Sequence, residues 1–573
     1  MFKHNLLISY RNIVRNKASF LINLVGLSTG LASVLLIYLW VSDEWSVDRF
    51  HEHEDRLYQV MTNLPLDKSI STLEFGPSLL ARDLEEHLPE VEIASQNSAT
   101  FMSPTGVIRN QLHAARTKGL YVDNNFLRMF SYPLIAGNSD ELLQDQSSMI
   151  ITRSLANSLF GSPEEALGKE LQWETQFFNA SFFVSGVLED VPENSSIQFD
   201  LLLSFEDWLI ERDPDVASWS DGYAQTYLRL KEGTVRDKFE QKLETYLREK
   251  HEFWKESSLI VRQYSHRYLQ SEYENGKVVG GRISYVKQLS LLAFFILLIA
   301  CINYINLTTA QASTRMKEIG VKKVIGASRK KLLVQFLQQS TISVFFAFLL
   351  ALIFVSLLLP SFNELTLKSL KLQLNRENIL ALSFLMFLTA WVAGAYPAFY
   401  LSGFKPFSTL KAKANGLGSG NSLRKGLVVF QFVLAVIFIV AVLVIHKQME
   451  YTQNKNLGYD RSNIISFFRP LTPSGPLSFF SELNKIPGVE KVANMSGSIL
   501  SGSSLQKGYS WRGNEKDEEI SFQAPMIGYG AMEILEMEIV EGRSFSKDFG
   551  DDPNKIILNE SAAKMMGLDQ PIG

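Results

Sequence analysis

The sequence predicts an integral membrane α-helical protein that also carries α+β extracytoplasmic domains and is internally duplicated. Three observations favour this fold class. Five segments are apolar and uncharged, basic residues concentrate in three short segments, and two large polar segments share landmarks in the same order. The 573 residues, of which 46% are hydrophobic and 20% charged, are enough for several domains.

Five segments without Asp, Glu, Lys or Arg are predicted to span a membrane. They are residues 20–42, 289–309, 337–359, 379–401 and 426–445. Each has the roughly 20 residues that a helix needs to cross about 30 Å of hydrocarbon. The first segment is too long for the apolar part of a signal peptide, so we expect it to remain as an anchor. Five core helices of a soluble protein are the weaker interpretation, because such helices usually keep a polar face.

The distribution of charge predicts the orientation. Residues 1–19 carry four Lys or Arg and no acid, residues 310–336 carry seven against one acid, and residues 402–425 carry five and no acid. Because positive charge is retained on the cytoplasmic side, these three segments and the N-terminus are predicted to lie inside. An apolar stripe also predicts that residues 1–19 form an amphipathic helix at the membrane surface. The segments predicted to lie outside are residues 43–288, 360–378 and 446–573.

The two large outer segments predict an internal duplication. The matched landmarks are Gly76-Pro77 with Gly475-Pro476, residues 130–137 with 535–542, and residues 150–168 with 556–573. Their offsets of 398 to 406 include the offset between the starts of the first and fifth spans. The second copy stops at Gly573, before counterparts of the three middle spans. We expect the natural chain to continue with three more spans; a naturally shortened protein is the alternative.

The first outer segment, residues 43–288, is predicted to be a mixed α+β domain. Alternating apolar residues over Phe182–Leu188 predict a strand, and the patterns over Pro77–His87 and Val235–Lys250 predict helices.

The sequence contains no motif for catalysis, nucleotide binding or metal binding. There is no Gly-x4-Gly-Lys-Ser/Thr, no His-Glu-x-x-His and no Gly-x-Ser-x-Gly, and Cys301 is the single cysteine. A net charge of -4 argues against nucleic acid as a partner. The nearest approach to a ligand cluster is the segment from His51 to Asp55, which we interpret as a solvated start of the outer domain rather than a metal site. We therefore expect no catalytic residues, cofactor or metal in this chain.

The inner segment 310–336 is the most informative. Its pattern predicts a helix with apolar Met316, Ile319, Val324 and Ile325 between basic residues, interrupted at Gly320 and Gly326. One interpretation is an ordinary basic loop. The other is a docking helix for a cytoplasmic partner, in which the glycines allow close approach and the basic face meets an acidic one.

Small and polar residues within the spans predict contacts between helices. Gly26 and Gly30 form a small-xxx-small face in the first span, and Asn303 and Asn306 are polar residues in the second. We interpret both pairs as helix packing rather than as a transport path, because small residues and amides commonly join membrane helices.

Residues 301–326 resemble the FtsX/MacB-type permeases of ABC transporters, in particular the duplicated form found in Bacteroidetes. The residues that match that family's pattern are Asn303, Asn306, Arg315, Lys317, Glu318, Ile319, Gly320, Lys323 and Gly326. Residues 394–406 (GAYPAFYLSGFKP) are similar to the end of the family's fourth span. The resemblance implies MacB-like periplasmic core domains at 43–288 and, incomplete, at 446–573. It also implies an ATPase-coupling helix at roughly Ser313–Lys331 and a location in the bacterial inner membrane.

The function implied is that of a membrane subunit which couples ATP hydrolysis by a separate cytoplasmic ABC ATPase to movement of the outer domains, for export or extraction of a substrate. Partners are then the ATPase, the lipid bilayer, and a second copy of the chain or of its own half in a dimer or pseudo-dimer. A periplasmic adaptor or hydrolase is a further possible partner. The alternatives are an FtsX-like scaffold that activates a cell-wall hydrolase and a ligand sensor of the cell envelope.

Overall fold

The computed structural model describes most of the chain. The described residues are 17–66, 69–99, 103–139, 142–143, 145–175, 178–206, 218–219, 221–310, 319–373, 375–402, 418–460, 463–467, 476–496, 505–506, 509, 511, 522–550, 552–568 and 570–572. The chain forms two compact units, Met1–Glu174 with Ala180–Val440, and Thr175–Asn179 with Ala441–Gly573.

The α-helices, in chain order, are α1 Lys17–Ser46, α2 Leu80–His87, α3 Phe126–Met129, α4 Arg153–Phe160, α5 Pro163–Ala166, α6 Arg236–Leu243, α7 Arg282–Ala310, α8 Arg329–Thr366, α9 Arg376–Ser402, α10 Gly418–Asn454, α11 Pro476–Leu483, α12 Ala531–Ile534 and α13 Glu560–Met565. The strands are β1 Leu57–Leu66, β2 Ser69–Leu73, β3 Val91–Ser98, β4 Thr105–Arg109, β5 Ala114–Val122, β6 Leu134–Gly137, β7 Ser148–Thr152, β8 Glu170–Thr175, β9 Asn179–Leu188, β10 Leu201–Ser204, β11 Ala224–Leu230, β12 Ser258–Gln263, β13 Glu272–Glu274, β14 Lys277–Gly280, β15 Leu505–Gln506 and β16 Phe522–Gln523.

Five of the helices, α1 and α7 to α10, are long and apolar enough to cross a membrane. Each contains one of the five apolar segments predicted from the sequence. A helix is the structure expected for such a segment, because it satisfies its own backbone hydrogen bonds where no water is available. Helix α10 begins at Gly418, inside the basic segment 402–425 that is predicted to lie on the cytoplasmic side. Most of the predicted amphipathic helix, residues 1–16, lies outside the described residues.

Four of these helices form a bundle with a small-residue core. Helix α1 packs against α7 and α8, and α9 packs against α8 and α7. The fully buried residues at their contacts include Leu31, Cys301, Val344, Ala351 and Ala393. Alanine at such positions lets neighbouring helices approach closely and gain dispersion contacts. Helix α10 instead keeps most of its side chains exposed.

Between α1 and α7 the chain folds into an α+β domain built on one twelve-stranded sheet. The strand order is β10-β7-β9-β8-β4-β5-β3-β11-β1-β12, with β2 on β1 and β6 on β9. Strand β10 pairs with both β7 and β5, so six strands form a closed ring of hydrogen-bonded neighbours. Five further strands, β3, β11, β1, β12 and β2, extend from this ring as an open sheet whose ladders are antiparallel.

Helices α2 and α6 cover one face of the open sheet. Leu84 of α2 and Phe239 of α6 pack there with Leu228 of β11. The predicted strand over 182–188 lies within β9, and the predicted helix 77–87 is helical from Leu80 onward. The predicted helix 235–250 was too long, because α6 ends at Leu243 and a short 3₁₀ helix follows over Tyr246–Glu249. The break lets Leu247 and Trp254 join the same core.

The edge strand β12 is protected by side chains of α6. The Val261 backbone N–H donates to Glu240 Oε1 at 3.3 Å, and the Val261 carbonyl accepts from Arg236 Nη2 at 3.0 Å. These bonds occupy backbone groups on the side of β12 that does not face β1, groups that an exposed edge strand would otherwise present for pairing.

The interpretation of residues 51–55 as a solvated segment is wrong for His51. The His51 side chain is 4% exposed and lies among the rings of Phe130, Tyr132 and Tyr264, with centroid distances of 5.2 to 5.5 Å. Its Nδ1 accepts a hydrogen bond from the Ser131 N–H at 3.2 Å. The neighbouring Glu52 and His53 are exposed, as predicted. Burial lowers the pKa of His51 to about 4, so the ring is neutral at physiological pH.

The second unit contains shorter elements. Helix α11 is followed by an antiparallel bridge between Met495 and Ile527, and β15 pairs antiparallel with β16. The capping residue of α13 is Asn559, whose side chain accepts from the Ala562 N–H at 2.8 Å.

Replacement of His51 by Asn should remove part of the pH dependence of stability. The unfolded chain binds a proton at His51 below about pH 6.5, whereas the buried ring does so only below about pH 4. The free energy of unfolding of the wild type should therefore fall by roughly 3 kcal/mol more than that of His51→Asn between pH 7 and pH 4. Hydrogen exchange of the full chain in detergent at several pH values measures the free energy of unfolding and hence this difference. Parallel pH profiles for the two proteins would contradict the prediction.

Candidate coupling surface and domain junction

The end of the bundle away from the α+β domain, here the distal end, contains the described part of the predicted coupling helix. Residues 319–324 are helical. Ile319 is 2% exposed and packs with residues from the start of α8 and the end of α9, and Gly320 is also buried. The side chains around Ile319 are Leu332, Phe336, Ala398 and Leu401. The predicted site residues Arg315, Lys317 and Glu318 lie outside the described residues.

Polar contacts fix this segment to the same two helices. Lys323 Nζ donates to the Ser402 carbonyl at the end of α9 at 2.6 Å. Gly326 ends the turn with a φ of +95°, a conformation that favours glycine, and its N–H donates to the Lys323 carbonyl. Ser328 then caps α8 by accepting from the Lys331 N–H. Movement of residues 319–326 therefore requires movement of α8 and α9.

The outward side of this segment is apolar, with exposed cations next to it. Val321, Val324 and Ile325 are 50%, 64% and 80% exposed, and Arg329, Lys330 and Lys331 at the start of α8 are exposed as well. We call these six residues the distal surface. Clustered exposed apolar side chains rimmed by charge are typical of an interaction site. The sequence pattern grouped Ile319 with Val324 and Ile325 as apolar residues between basic ones and did not single out Val321.

Contacts between α1 and α7 involve the predicted glycines and one of the asparagines. A Cβ atom at Gly30 would lie 2.6 Å from the Ala300 Cβ, and one at Gly26 would lie 3.1 Å from Asn303 Nδ2. Carbon atoms in contact are normally separated by about 3.5 to 4.0 Å. The distance at Gly30 is shorter than this, so α1 can lie this close to α7 only because residue 30 has no side chain.

A buried polar patch lies between the same two helices. Asn306 Oδ1 and Asn23 Oδ1 are buried and have no hydrogen-bond partner among the described residues. The contacts of Gly26 with Asn303 and of Gly30 with Ala300 define an antiparallel register that places Asn23 opposite Asn306. Asn23 was not identified from the sequence, since a single amide in an apolar run carries no pattern.

At the opposite end of the bundle a buried carboxylate joins α1, α7 and the segment that follows α8 to the α+β domain. Glu44 of α1 has no exposed surface. Its Oε2 accepts from Arg282 Nε at 3.0 Å, and its Oε1 lies 2.6 Å from Lys368 Nζ. Lys368 also pairs with Asp43, and Tyr268 of the α+β domain donates its hydroxyl to Glu44 Oε1 at 3.2 Å. We call these five residues the junction cluster.

The charges in the junction cluster balance one another. Asp43 and Glu44 oppose Arg282 and Lys368, so the cluster is neutral overall, as a buried ionic group requires. The Arg282 guanidinium lies 4.7 Å from the centre of the Tyr268 ring. Burial and the adjacent Glu44 carboxylate raise the pKa of Tyr268 to about 12, so its hydroxyl keeps the proton that it donates.

A second set of bonds attaches the end of α1 to the loop after β9. Asn194 Nδ2 donates to the Ser46 carbonyl at 3.0 Å, and the Asp48 N–H donates to the Asn194 carbonyl at 2.8 Å. Asp48 Oδ1 accepts from the Ser196 N–H at 2.7 Å. Helix α1 is thus joined to the α+β domain by main-chain contacts in addition to Glu44.

Within the described part of the chain, no group of three or more His, Cys, Asp or Glu side chains is arranged to hold a metal ion.

Two family models match parts of the chain. Residues 20–246 match the family described as MacB-like periplasmic core domain, and residues 290–406 match the family described as FtsX-like permease C-terminal. No curated protein matches the chain.

Three solved structures resemble part of the chain. A domain of a protein described as a permease from Porphyromonas gingivalis is 26% identical, covers 37% of this chain and 93% of its own, and gives a TM-score of 0.32. The periplasmic region of MacB from Actinobacillus actinomycetemcomitans is 13% identical over 36% of this chain and 88% of its own, with a TM-score of 0.27. The extracellular domain of the noncanonic ABC-type transporter YknZ from Gram-positive bacteria is 14% identical over 36% and 99%, also with a TM-score of 0.27.

Alanine substitutions at three glycines should rank by the space beside each of them. Gly30→Ala should destabilise the bundle by about 1 to 3 kcal/mol, because its new methyl group overlaps Ala300. Gly26→Ala should cost less, since it meets only the end of the Asn303 side chain. Gly426→Ala is the control, because nothing lies within 4 Å of that position, and alanine there should stabilise the helix by up to about 1 kcal/mol. Thermal unfolding in a mild detergent gives the ranking, and equal midpoints for Gly30→Ala and Gly426→Ala would contradict it.

Proposed function

Because the chain belongs to the FtsX/MacB-type permeases of ABC transporters, we propose that it couples ATP hydrolysis by a separate cytoplasmic ATPase to movement of its α+β domain. The movement serves export or extraction of a substrate. The chain itself supplies the helices that cross the membrane and the domain that moves, and the ATPase supplies the energy.

The observation that carries this proposal is the distal surface. Its three β-branched side chains are exposed although their neighbours Ile319 and Gly320 are buried. A cytoplasmic partner that covers Val321, Val324 and Ile325 would remove apolar area from water, and acidic residues on that partner would complement Arg329 and Lys330. Since Lys323 and Ile319 attach this segment to α8 and α9, a partner that moves it also moves both helices.

The same arrangement supports the orientation that the charges predict. The distal surface carries basic residues, and the α+β domain lies at the other end of the bundle. Under the positive-inside rule the distal end is cytoplasmic and the domain lies outside the cell membrane. We therefore infer a multi-pass protein of the bacterial inner membrane with a cytoplasmic N-terminus.

We also propose that the chain is internally duplicated, with a second core domain beginning at residue 446. Asn97 bridges Val122 in the first unit, and Met495 bridges Ile527 in the second, at offsets within the range of the sequence landmarks. The short helices α3 and α12 are also related by such an offset. Gly137 and Gly542 both have positive φ, 114° and 88°. The exposure of α10 supports a dimeric or pseudo-dimeric assembly in which further helices cover it.

Replacement of Ile325 by Asp should release the ATPase. Burial of an isoleucine side chain contributes about 1.5 to 3 kcal/mol, so we expect recovery of the partner to fall about tenfold or more. The tagged full-length chain is purified from membranes in mild detergent, and an ABC ATPase is identified and quantified by mass spectrometry. Leu365→Asp is the matched control, because Leu365 is 81% exposed at the opposite end of α8, against 80% for Ile325.

Equal ATPase recovery with Ile325→Asp and Leu365→Asp would exclude the distal surface as the docking site. Recovery of no ATPase with the wild-type chain would contradict the transporter function and favour a sensor of the cell envelope. Recovery of a cell-wall hydrolase together with the ATPase would instead favour the scaffold function.

A further inference from the structure

Helix α8 runs from the distal surface to the segment that carries Lys368 of the junction cluster. It begins at Arg329, within the distal surface, and Lys368 follows two residues after its last residue, Thr366. Its 38 residues correspond to about 57 Å at 1.5 Å per residue. Helix α9 also contacts the distal segment, through Ser402. Its first residue is Arg376, which follows Lys368 in the chain, and α9 contributes no residue to the junction cluster.

The attachments of α1 and α8 to the α+β domain differ. Helix α1 runs into the domain and is held there by the bonds of Asn194 and Asp48 as well as by Glu44. Helix α7 leaves the domain directly, and the Ile283 N–H donates to the Leu269 carbonyl at 2.9 Å. The chain that follows α8 leads to α9 and not to the domain. Helix α8 also packs against α1, and Lys368, in the segment after α8, forms ion pairs with the α1 carboxylates Asp43 and Glu44.

The geometry at Lys368 is suited to transmit movement in more than one direction. Its ammonium group lies between Asp43 and Glu44, two consecutive residues on α1, and its side chain is 15% exposed. The Glu44 carboxylate is in turn held by Arg282 through two hydrogen bonds, of 3.0 and 3.1 Å. A two-point guanidinium–carboxylate contact fixes orientation as well as distance. Displacement of Lys368 along or across the bundle axis would therefore displace Glu44, and with it Tyr268 and Arg282.

We propose that Lys368 and Glu44 form the connection through which α8 moves the α+β domain, an inference that rests on the proposed function. Both are positioning residues: neither contacts a substrate or nucleotide, and their role is to make α8, α1 and the domain move as one body. Buried ion pairs often contribute little net stability and instead specify one arrangement over others. The junction cluster accordingly specifies that the end of α8 moves together with the end of α1 and with Tyr268 of the domain.

The test compares Lys368→Met with Lys371→Met. Lys371 is exposed and lies three residues further along the same connection, so the pair separates loss of this contact from loss of a lysine near the membrane. Each full-length chain is reconstituted with the co-purified ATPase in lipid nanodiscs. Spin labels at Leu112→Cys in the domain and Phe432→Cys on α10, a helix that contributes no residue to the junction cluster, report the separation of the domain from α10 with and without nucleotide. The two positions are 86% and 65% exposed, and the native Cys301 is buried.

In the wild type and in Lys371→Met we expect the distribution of distances between the two spin labels to depend on nucleotide. In Lys368→Met that dependence should be lost, while the ATPase stays bound and still hydrolyses ATP. Lys368→Arg, which keeps the positive charge, should retain it. A Lys368→Met protein whose domain responds to nucleotide like the control would overturn the inference and leave the proposed function standing. No response in the wild type would overturn both.

Lys368→Gln and Glu44→Gln provide the same comparison if Lys368→Met does not fold. Both remove one charge and keep a polar side chain of similar length. Glu364→Gln, at an exposed carboxylate near the end of α8, is the control for the second variant. Loss of the nucleotide response in both cluster variants with its retention in Glu364→Gln would support the inference, and retention in all three would overturn it.

Discussion

A carboxylate without exposed surface remains charged only where cations neutralise it, and Glu44 meets this requirement with Arg282 and Lys368. Glu44 and Arg282 lie on α1 and α7, and Lys368 lies in the segment that follows α8, so the requirement can be met only if α1, α7 and the end of α8 lie together. Tyr268 adds the α+β domain to the same point. The relative positions of bundle and domain therefore depend on satisfying one ionised group, in addition to apolar packing.

The two ends of the bundle differ in the kind of interaction that holds them. At the junction the contacts are ionic and directional, and they meet at the buried Glu44 carboxylate. At the distal end Ile319 packs among Leu332 and Phe336, a contact that tolerates small shifts because dispersion has little directional preference. The Lys323–Ser402 hydrogen bond keeps the distal segment attached to α9 while these apolar side chains shift, whereas any displacement at the junction strains an ionic contact. This contrast fits an element that receives movement at one end and transfers it at the other.

The sequence reveals the spans and the class of the domain but not these contacts. Uncharged runs identify helices because hydrocarbon excludes charge, and alternation identifies β9 because one face of a strand is buried. In the sequence, Arg282 and Lys368 look like ordinary charges beside membrane spans, because the residues next to them in the chain do not show that both approach Glu44. His51 reads as polar because its aromatic neighbours come from distant segments. Which side chains of residues 319–325 are buried is likewise determined by contacts with α8 and α9. Ile319 is therefore buried and Val321 is exposed.

The side chains of Arg236 and Glu240 along β12 also limit how the domain can meet another protein. Their bonds to the Val261 backbone mean that an extended peptide added at this position would first have to displace a guanidinium and a carboxylate. Recognition by β-strand addition is thereby disfavoured on this side of the sheet. A partner that approaches here has to bind through side chains, so its selectivity would depend on surface shape and charge rather than on backbone pairing, which almost any sequence can provide.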